Sequence, residues 1–303
     1  MTQDEAMAKL AVRDLNFNNE GLRRLKLIDQ NMFGASFRSA TLIGTDFRGS
    51  FMQDCSFYGS VLFGTDFRNT DLTKAGMSGL NIRRANFCGA ILHYASLNSA
   101  TLTGSLMVGS YCGGVNLEDA NLDNCMLSGT DFSHAGMTQA SLKRATACKS
   151  VFKNARLVSA DFSHSTLTGC DFTEAFLNDA KFINANLIGA NFNSADLSNS
   201  NLTRARLVIS AYRNENIGKH EPPASFNKAN LSNANLRGLN LSNLSFHDAI
   251  FRGANLSGAD LRGADLRNAD FSGAHLNGTD FTGANTEGAV FDADLFGIGV
   301  RGL

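Results

Sequence analysis

Ala254-Asn255-Leu256-Ser257-Gly258, Ala259-Asp260-Leu261-Arg262-Gly263, Ala264-Asp265-Leu266-Arg267-Asn268 and Ala269-Asp270-Phe271-Ser272-Gly273 follow one another without a break. Each unit is a small residue, then Asp or Asn, then Leu or Phe, then a polar residue, then Gly or Asn. A short fixed period is the mark of a repeat architecture. It also means that geometry explains most positions, and few are left over for chemistry.

The same period of five runs outward from this stretch in both directions. With the large apolar residue called the centre, the centres fall at Phe17, Leu22, Leu27, Met32, Phe37, Leu42, Phe47 and onward to Phe192, Leu197, Leu202, Leu207 and Tyr212. Two residues before each centre stands a small one, such as Ala35, Ala40, Thr45, Ser50 or Cys55. Leu80 and Val115 overfill that small slot, and Cys112 and Ala147 underfill a centre. A helix would place apolar residues three and four apart, and a half-buried strand two apart. A spacing of five suits a short extended piece followed by a corner. Gly44, Gly49, Gly59, Asn69 and Asn124 stand two after their centres, where a tight turn of type II needs positive φ.

A second period gives the number of sides. Phe132, Phe152, Phe172, Phe192 and Tyr212 are spaced by twenty, as are Phe47, Phe67 and Phe87, and later Phe251, Phe271 and Phe291. Like stacks on like if one coil takes twenty residues, four pentapeptides, with successive coils paired as parallel strands roughly 4.8 Å apart.

These units resemble the A(D/N)LXX signature of the pentapeptide-repeat proteins, over about residues 17–296. The resemblance implies an all-β fold, a right-handed quadrilateral parallel β-helix with about four pentapeptides per coil. It implies no single function, because the superfamily spans many roles.

The register breaks once. From Ile217 to Phe226 is nine residues, so four extra residues enter the phase. The segment Arg213–Pro223 carries both prolines, which cannot donate to a ladder. The expected organisation is an N-terminal cap over 1–16, a first β-helix segment over 17–212, a loop and register break over 213–225, a second β-helix segment over 226–296 and a tail over 297–303. Residues 2–14 read as a short helix, with Thr2 and Glu5 fitting a capping box. Leu295, Phe296, Ile298, Val300 and Leu303 make an apolar tail, which either folds over its own last coil or pairs with a second copy as a homodimer through the C-terminal end.

The 303 residues carry a net charge of −1, with both signs spread along the chain. No segment is a basic tract for nucleic acid, no apolar run reaches the length of a membrane span, and no signal peptide opens the chain. Of the six cysteines, Cys55, Cys125 and Cys170 fall in small slots and Cys112 at a centre. Cys88 and Cys148 face outward three coils apart, roughly 14 Å at the strand spacing, beyond the reach of a disulfide. Reduced thiols in a cytoplasmic chain fit this pattern.

Asp131-Phe132-Ser133-His134 and Asp161-Phe162-Ser163-His164 hold the residue types of a catalytic triad. They are thirty residues apart, one and a half coils, so they fall on opposite faces, whereas a triad needs direct contact. His93, His220, His247 and His275 have no His or Cys partner at ligand spacing. No enzyme activity, metal or cofactor is expected. Outward apolar residues are more informative. Ile43 and Phe63 follow Leu42 and Leu62 on adjacent coils, and Val61, Phe33 and Ile28 are assigned to the same region. Val108, Ile188, Val208 and Ile209 form a looser second set. Arg23-Arg24, Arg83-Arg84 and Lys143-Arg144 share one face three coils apart.

The expected function is therefore a non-enzymatic interaction protein, a rigid β-helical rod that docks a protein partner. The candidate contacts are Ile43, Val61 and Phe63 on the face, and Asn214, Lys219, His220 and Glu221 in the loop. The resemblance supplies two alternatives. One is a DNA-mimicking protector of a topoisomerase such as DNA gyrase, of the quinolone-resistance type, from whose strongly acidic surface this chain departs. The other is a bacterial effector delivered to a host cell.

Overall fold

The backbone hydrogen bonds of one pentapeptide explain the period. In Thr45-Asp46-Phe47-Arg48-Gly49 every N–H has a partner. Thr45 N donates to Leu42 O (3.1 Å), closing the preceding turn, and Asp46 N donates to Leu25 O in the coil before (2.9 Å). Phe47 N and Gly49 N donate to Asp66 O (2.8 Å) and Arg68 O (3.0 Å) in the coil after. The fifth N–H, that of Arg48, would be left over, and the Asp46 side chain accepts it through Oδ1 (3.2 Å). Buried or half-buried backbone donors must be paired, and a side chain that loops back on the backbone two residues on is the particular habit of Asp and Asn. That is the physical reason for the Asp or Asn before each centre. The same bond recurs from Arg68 to Asp66 (3.1 Å), Ser133 to Asp131 (2.9 Å) and Arg262 to Asp260 (3.1 Å).

The computed structural model describes residues 1–208, 223–293 and 299–303. It divides into two compact units, Met1–Ala147 and Cys148–Leu303. In the first unit parallel bridges join residues twenty apart at nearly every fifth position, from Asn16 with Ser36 to Met126 with Thr146. The second unit repeats the pattern from Val151 with Asp171. Pairing is carried by single bridge residues, one per pentapeptide, and not by long strands. The one helix among the described residues is α1 (Gln3–Ala11).

Corners follow the centres. Among the described residues up to Gly288, the residue two after each centre has positive φ, whatever its type: Gly44 (66°), Asn69 (56°), Arg24 (57°), Lys74 (60°), Arg84 (57°) and Tyr94 (57°). Non-glycine residues there bear a cost of about 1–2 kcal/mol, so the ladder on either side of the corner, and not local preference, sets the conformation.

The centres fill the interior. Phe172 is fully buried and lies 4.9 Å from both Phe152 and Phe192 in parallel stacks, with Phe162 and Phe182 edge-on at 5.8 and 5.9 Å. In the first unit Phe17, Phe37 and Phe57 stack at 5.1 and 5.2 Å, and Phe47, Phe67 and Phe87 at 5.4 and 5.0 Å. Polar residues in the small slots are buried, and their hydroxyls bond to backbone carbonyls: Thr45 donates to Leu22 O and Ser50 to Leu27 O, both at 2.7 Å; the buried Ser200 hydroxyl has no such partner. Leu80, Val115, Cys112 and Ala147 are buried despite their unusual sizes.

The place over Phe192 that the twenty-residue period gives to Tyr212 is taken by Phe226, stacked at 4.9 Å. The bridges agree: Asn191 pairs with Ser225, Asp196 with Asn230 and Asn201 with Asn235. The interval is 34 residues where a coil takes 20, so the excess is 14, two pentapeptides plus the four residues visible as a phase shift. Ser225, within the range 213–225 read as loop, is therefore a bridge residue of the coil; residues 209–222 lie outside the described residues.

Both ends of the chain meet a coil. The capping box is present, with Glu5 N donating to Thr2 Oγ1 (3.2 Å) and Thr2 N to Glu5 Oε2 (2.7 Å). Ala6 is buried. The Gln3 carboxamide pairs with Lys26 as a strand residue would: Nε2 donates to Lys26 O (2.7 Å) and Oε1 accepts from Lys26 N (2.8 Å). At the other end Arg301 bridges Asp280. Phe281 N donates to Arg301 O (2.8 Å) and Arg301 N to Thr279 O (3.1 Å). The described tail residues thus lie along this chain's own last coil.

Candidate functional site

An apolar strip on one face of the first unit breaks the repeat pattern twice over. Thr41 and Val61 stand where Asp or Asn would hold the turn, and Ile43 and Phe63 stand where a polar residue would follow the centre. Thr41 bridges Val61, and Gly44 N donates to Phe63 O (3.1 Å), so the two repeats are stacked neighbours. Val61 is 42% exposed and Phe63 41%, while Ile43 is half-buried.

Arginines close the strip at both ends. Arg24 occupies the corner below Gly44 and donates its N–H to Ile43 O (3.1 Å). A Cβ on Gly44 would stand 3.5 Å from Arg24 Cγ, so that stem lies against the glycine. Above, Gly64 N donates to Arg83 O (3.0 Å), and the Arg84 guanidinium carbon lies 6.0 Å from the Phe63 ring centre, within cation–π reach. Arg23-Arg24 and Arg83-Arg84 are three coils apart, roughly 14 Å. The result is an apolar centre with a cationic margin on each side. On the neighbouring face the same slots hold Asp46, Arg48, Asp66 and Arg68 in paired charges, Arg48 to Asp46 and Arg68 to Asp66 both at 2.7 Å. The Arg48 bond holds the Asp46 carboxyl below its ordinary range. Those charges neutralise one another; the arginines bordering the strip form no ion pair among the described residues.

The structure does not bring every assigned residue to this strip. Ile28 precedes Asp29, whose N donates to Arg48 O (2.9 Å), and Phe33 precedes Gly34, whose N donates to Gln53 O (2.9 Å). Both therefore belong to other faces of the coil. Ile188, assigned to a second outward set, is buried at 4% exposure. Ile209 and the candidate contacts Asn214, Lys219, His220 and Glu221 lie outside the described residues. In Asp131–His134 the Ser133 hydroxyl donates to Asp131 Oδ1 (2.6 Å) and not to His134; it serves the turn. Among the described residues no group of His, Cys, Asp or Glu is placed to hold a metal ion, and no helix is long and apolar enough to cross a membrane.

Other exposed apolar residues escaped the reading by period: Phe51, Tyr111, Met126, Phe176 and Val290. All five stand immediately before a centre, in the slot that Asp or Asn fills elsewhere. An apolar residue there forgoes the turn bond, and that departure is the signal by which they could be found.

Pentapeptide repeats match in eight copies, over residues 31–69, 42–79, 52–87, 77–109, 224–263 and 249–288. A pentapeptide repeat region matches residues 115–192. Together they span well over half of the chain. Among solved structures, full-length QnrB1, a plasmid-mediated fluoroquinolone resistance protein, is 18% identical over 61% of this chain and 84% of its own, with a TM-score of 0.42. HetL, a pentapeptide repeat protein involved in heterocyst differentiation regulation from the cyanobacterium Nostoc sp., is 26% identical over 92% of this chain and 96% of its own, with a TM-score of 0.27. A pentapeptide repeat protein from the Arabidopsis thaliana thylakoid lumen is 28% identical over 47% of this chain and 72% of its own, with a TM-score of 0.25. No curated protein matches the chain.

Proposed function

We propose that this chain, which belongs to the pentapeptide-repeat family, is a non-enzymatic interaction protein that docks a protein partner on the strip of Ile43, Val61 and Phe63. In this reading each coil is a right-handed quadrilateral, one pentapeptide to a side, and the partner lies across one side. Support for the coil comes from the register of twenty between bridged residues.

The observation that carries the reading is the apolar strip bounded by Arg24 and Arg84. Such a surface suits a partner segment with one or two apolar side chains and acidic residues on either side. The apolar centre supplies binding energy, and the arginines supply orientation and rate of encounter. A net charge of −1 gives no support to mimicry of the DNA backbone, so a topoisomerase would have to be recognised through this strip and not through charge alone. The six free thiols suit a reducing compartment.

The test is affinity capture from the native lysate with the wild-type chain and with Val61→Asp/Phe63→Asp, two exposed positions that leave the core untouched. A protein retained by the wild type and lost with the double variant, at an unchanged thermal midpoint, supports the reading, and sequencing it names the partner, gyrase or another. A partner retained equally by both overturns it. Alanine at Asn214, Lys219, His220 and Glu221 in a parallel sample separates a contribution of that segment from that of the strip.

A further inference from the structure

Gly113-Gly114 is the one Gly-Gly pair in the sequence, and no other repeat from 16 to 208 has glycine in the slot after its centre. Gly114 occupies a corner, where φ is 66°. Gly113 does not; its backbone is open to any residue, so space and not conformation selects it. The coil before places His93 and Tyr94 in the same two slots, and the coil after places Ser133 and His134 there. Tyr94 N donates to Gly113 O (3.2 Å), and Gly114 N to Ser133 O (2.9 Å).

The rings occupy the space that the glycines leave. A Cβ on Gly114 would stand 2.6 Å from Tyr94 Cε1, and one on Gly113 would stand 3.0 Å from His93 Nδ1. What remains is a notch of about 350 Å³ lined by the two glycines with His93, Tyr94, Asp131 and His134. Tyr111 adds a third ring beside it. His93 lies 6.4 Å from Tyr94 at 46° and 6.5 Å from Tyr111 at 50°, so the rings are tilted facets and not a closed stack. Tyr94 is 68% exposed and Tyr111 53%.

Asp131 is the one carboxylate of the lining. Its Oδ1 accepts both the N–H and the hydroxyl of Ser133, and its Oδ2 takes no protein donor among the described residues. The nearest cation of this corner column, Lys74, stands a full coil below Tyr94. Exposed ring faces attract a cation, the notch beside them has room for a small flat group, and an unshared carboxylate oxygen calls for an N–H donor. A guanidinium meets all three demands, because it is planar, stacks on aromatic rings, donates through a rigid fork and is weakly hydrated; an ammonium is a compact, strongly hydrated point charge.

We propose that the Gly113-Gly114 notch binds a guanidinium group, stacked on Tyr94 and hydrogen-bonded to Asp131 Oδ2, with the Tyr111 ring at its margin. The group comes from an arginine of a partner protein or from a small guanidino compound. The site is separate from the Ile43–Phe63 strip and stands or falls without it.

The test is nuclear magnetic resonance of the full chain, labelled in its Tyr and His rings. The titrants are methylguanidinium, methylammonium, acetyl-Gly-Arg-Gly-amide and acetyl-Gly-Lys-Gly-amide. Methylguanidinium should shift Tyr94, Tyr111 and His134 saturably, and methylammonium should bind at least tenfold more weakly. Asp131→Asn, which keeps the acceptor for Ser133, should weaken binding at least tenfold, and Gly113→Ala should weaken it as well. Tighter binding of the arginine peptide than of methylguanidinium assigns the site to a protein partner; equal binding assigns it to a small compound, and either upholds a guanidinium site. No saturable shift, equal response to the two cations, or undiminished binding by a folded Asp131→Asn variant overturns it.

Discussion

Phe192 and Phe226 stack face to face, 4.9 Å apart and 10° from parallel, across an interval of 34 residues. Every other stack in this aromatic ladder spans twenty. The interior therefore selects the side chain that completes the ladder, and the chain between is free to be longer than a coil. Long insertions between fixed ends add little closure cost, about 0.6 kcal/mol for each doubling of length.

A deletion follows from that interval. Removing residues 209–222 joins Val208 to Pro223 and puts Phe226 twenty residues after Phe192. Pro223 then falls two after the centre Leu207, in a corner that needs positive φ, which proline cannot adopt. The deletion should be made with Pro223→Gly. The shortened protein is expected to fold with a thermal midpoint within a few degrees of the parent. A large loss of stability would show that the removed residues support the coils.

Phe172 and Phe176 should behave as opposites. Phe172 is fully buried between Phe152 and Phe192, while Phe176 is exposed. Phe172→Ala should cost about 3–5 kcal/mol, the usual range for a buried aromatic. Phe176→Ala should stay within about 0.5 kcal/mol. Denaturant unfolding of the two variants checks both, and equal losses would mean that the inward and outward slots are wrongly assigned.

The inward half of this fold is legible because it is written twice, in a period of five for the sides and twenty for the coil. Phe132 and Phe172 are placed by arithmetic alone. The outward half is less so. Tyr212 satisfies the twenty-residue period from Phe192 and Phe226 does not, yet the bridge from Asn191 to Ser225 and the Phe192–Phe226 stack give the place to Phe226. Ile188 occupies an outward slot yet is buried, which a one-dimensional register cannot foresee. Ile43 and Phe63 are legible as a pair because they stand twenty residues apart. Ile28 and Phe33 stand fifteen and ten residues before Ile43, intervals that the count of twenty puts on other faces of the coil. The Gly113-Gly114 notch depends on side-chain direction across three coils and has no counterpart in the period.

Thiol reactivity offers a third test. Burial pushes the Cys55, Cys112 and Cys125 thiols up to about 12, and that of Cys170 higher still. Cys55 and Cys125 also donate to backbone carbonyls, Met32 O and Leu102 O, both at 3.1 Å. The thiolate is the nucleophile, so these four should be inert near pH 8. Cys88 and Cys148, half-buried at the surface, should react with an aromatic disulfide reagent. Two thiols are expected in the native protein and six in denaturant; four or more in the native state would contradict the packing.

Acid should destabilise the protein in a definite window. Arg48, Arg262 and Arg267 hydrogen-bond to Asp46, Asp260 and Asp265 and hold these carboxyls below the ordinary value. A depressed folded pKa contributes stability that is fully present above the unfolded value, about 3.9. That stability is lost as pH falls through the folded value. Stability should be level near neutrality with respect to these groups and fall below about pH 4. Asp46→Asn, which keeps an acceptor for the Arg48 N–H, should lessen the slope there. An unchanged slope would mean that this pair contributes nothing to the folded state, as exposed pairs sometimes do.

The tail gives a test of self-association. Arg301 supplies both an acceptor to Phe281 N and a donor to Thr279 O, so it occupies the bridge beside Asp280 that a second copy would need. An unpaired edge templates association, and here the chain's own residues fill one such position. The expected outcome is a monomer for the 303-residue chain in light scattering. A version ending at Asp294 removes Arg301 and uncovers the N–H of Phe281 and the carbonyl of Thr279. It should self-associate in proportion to concentration, or unfold at a lower temperature than the parent. Arg301→Pro, which deletes the donor to Thr279 without shortening the chain, should move in the same direction by a smaller amount. A 303-residue chain that is dimeric, and whose dimer disappears on truncation at Asp294, would place the interface in the tail after all and show that pairing with a second copy outcompetes the contact with Asp280.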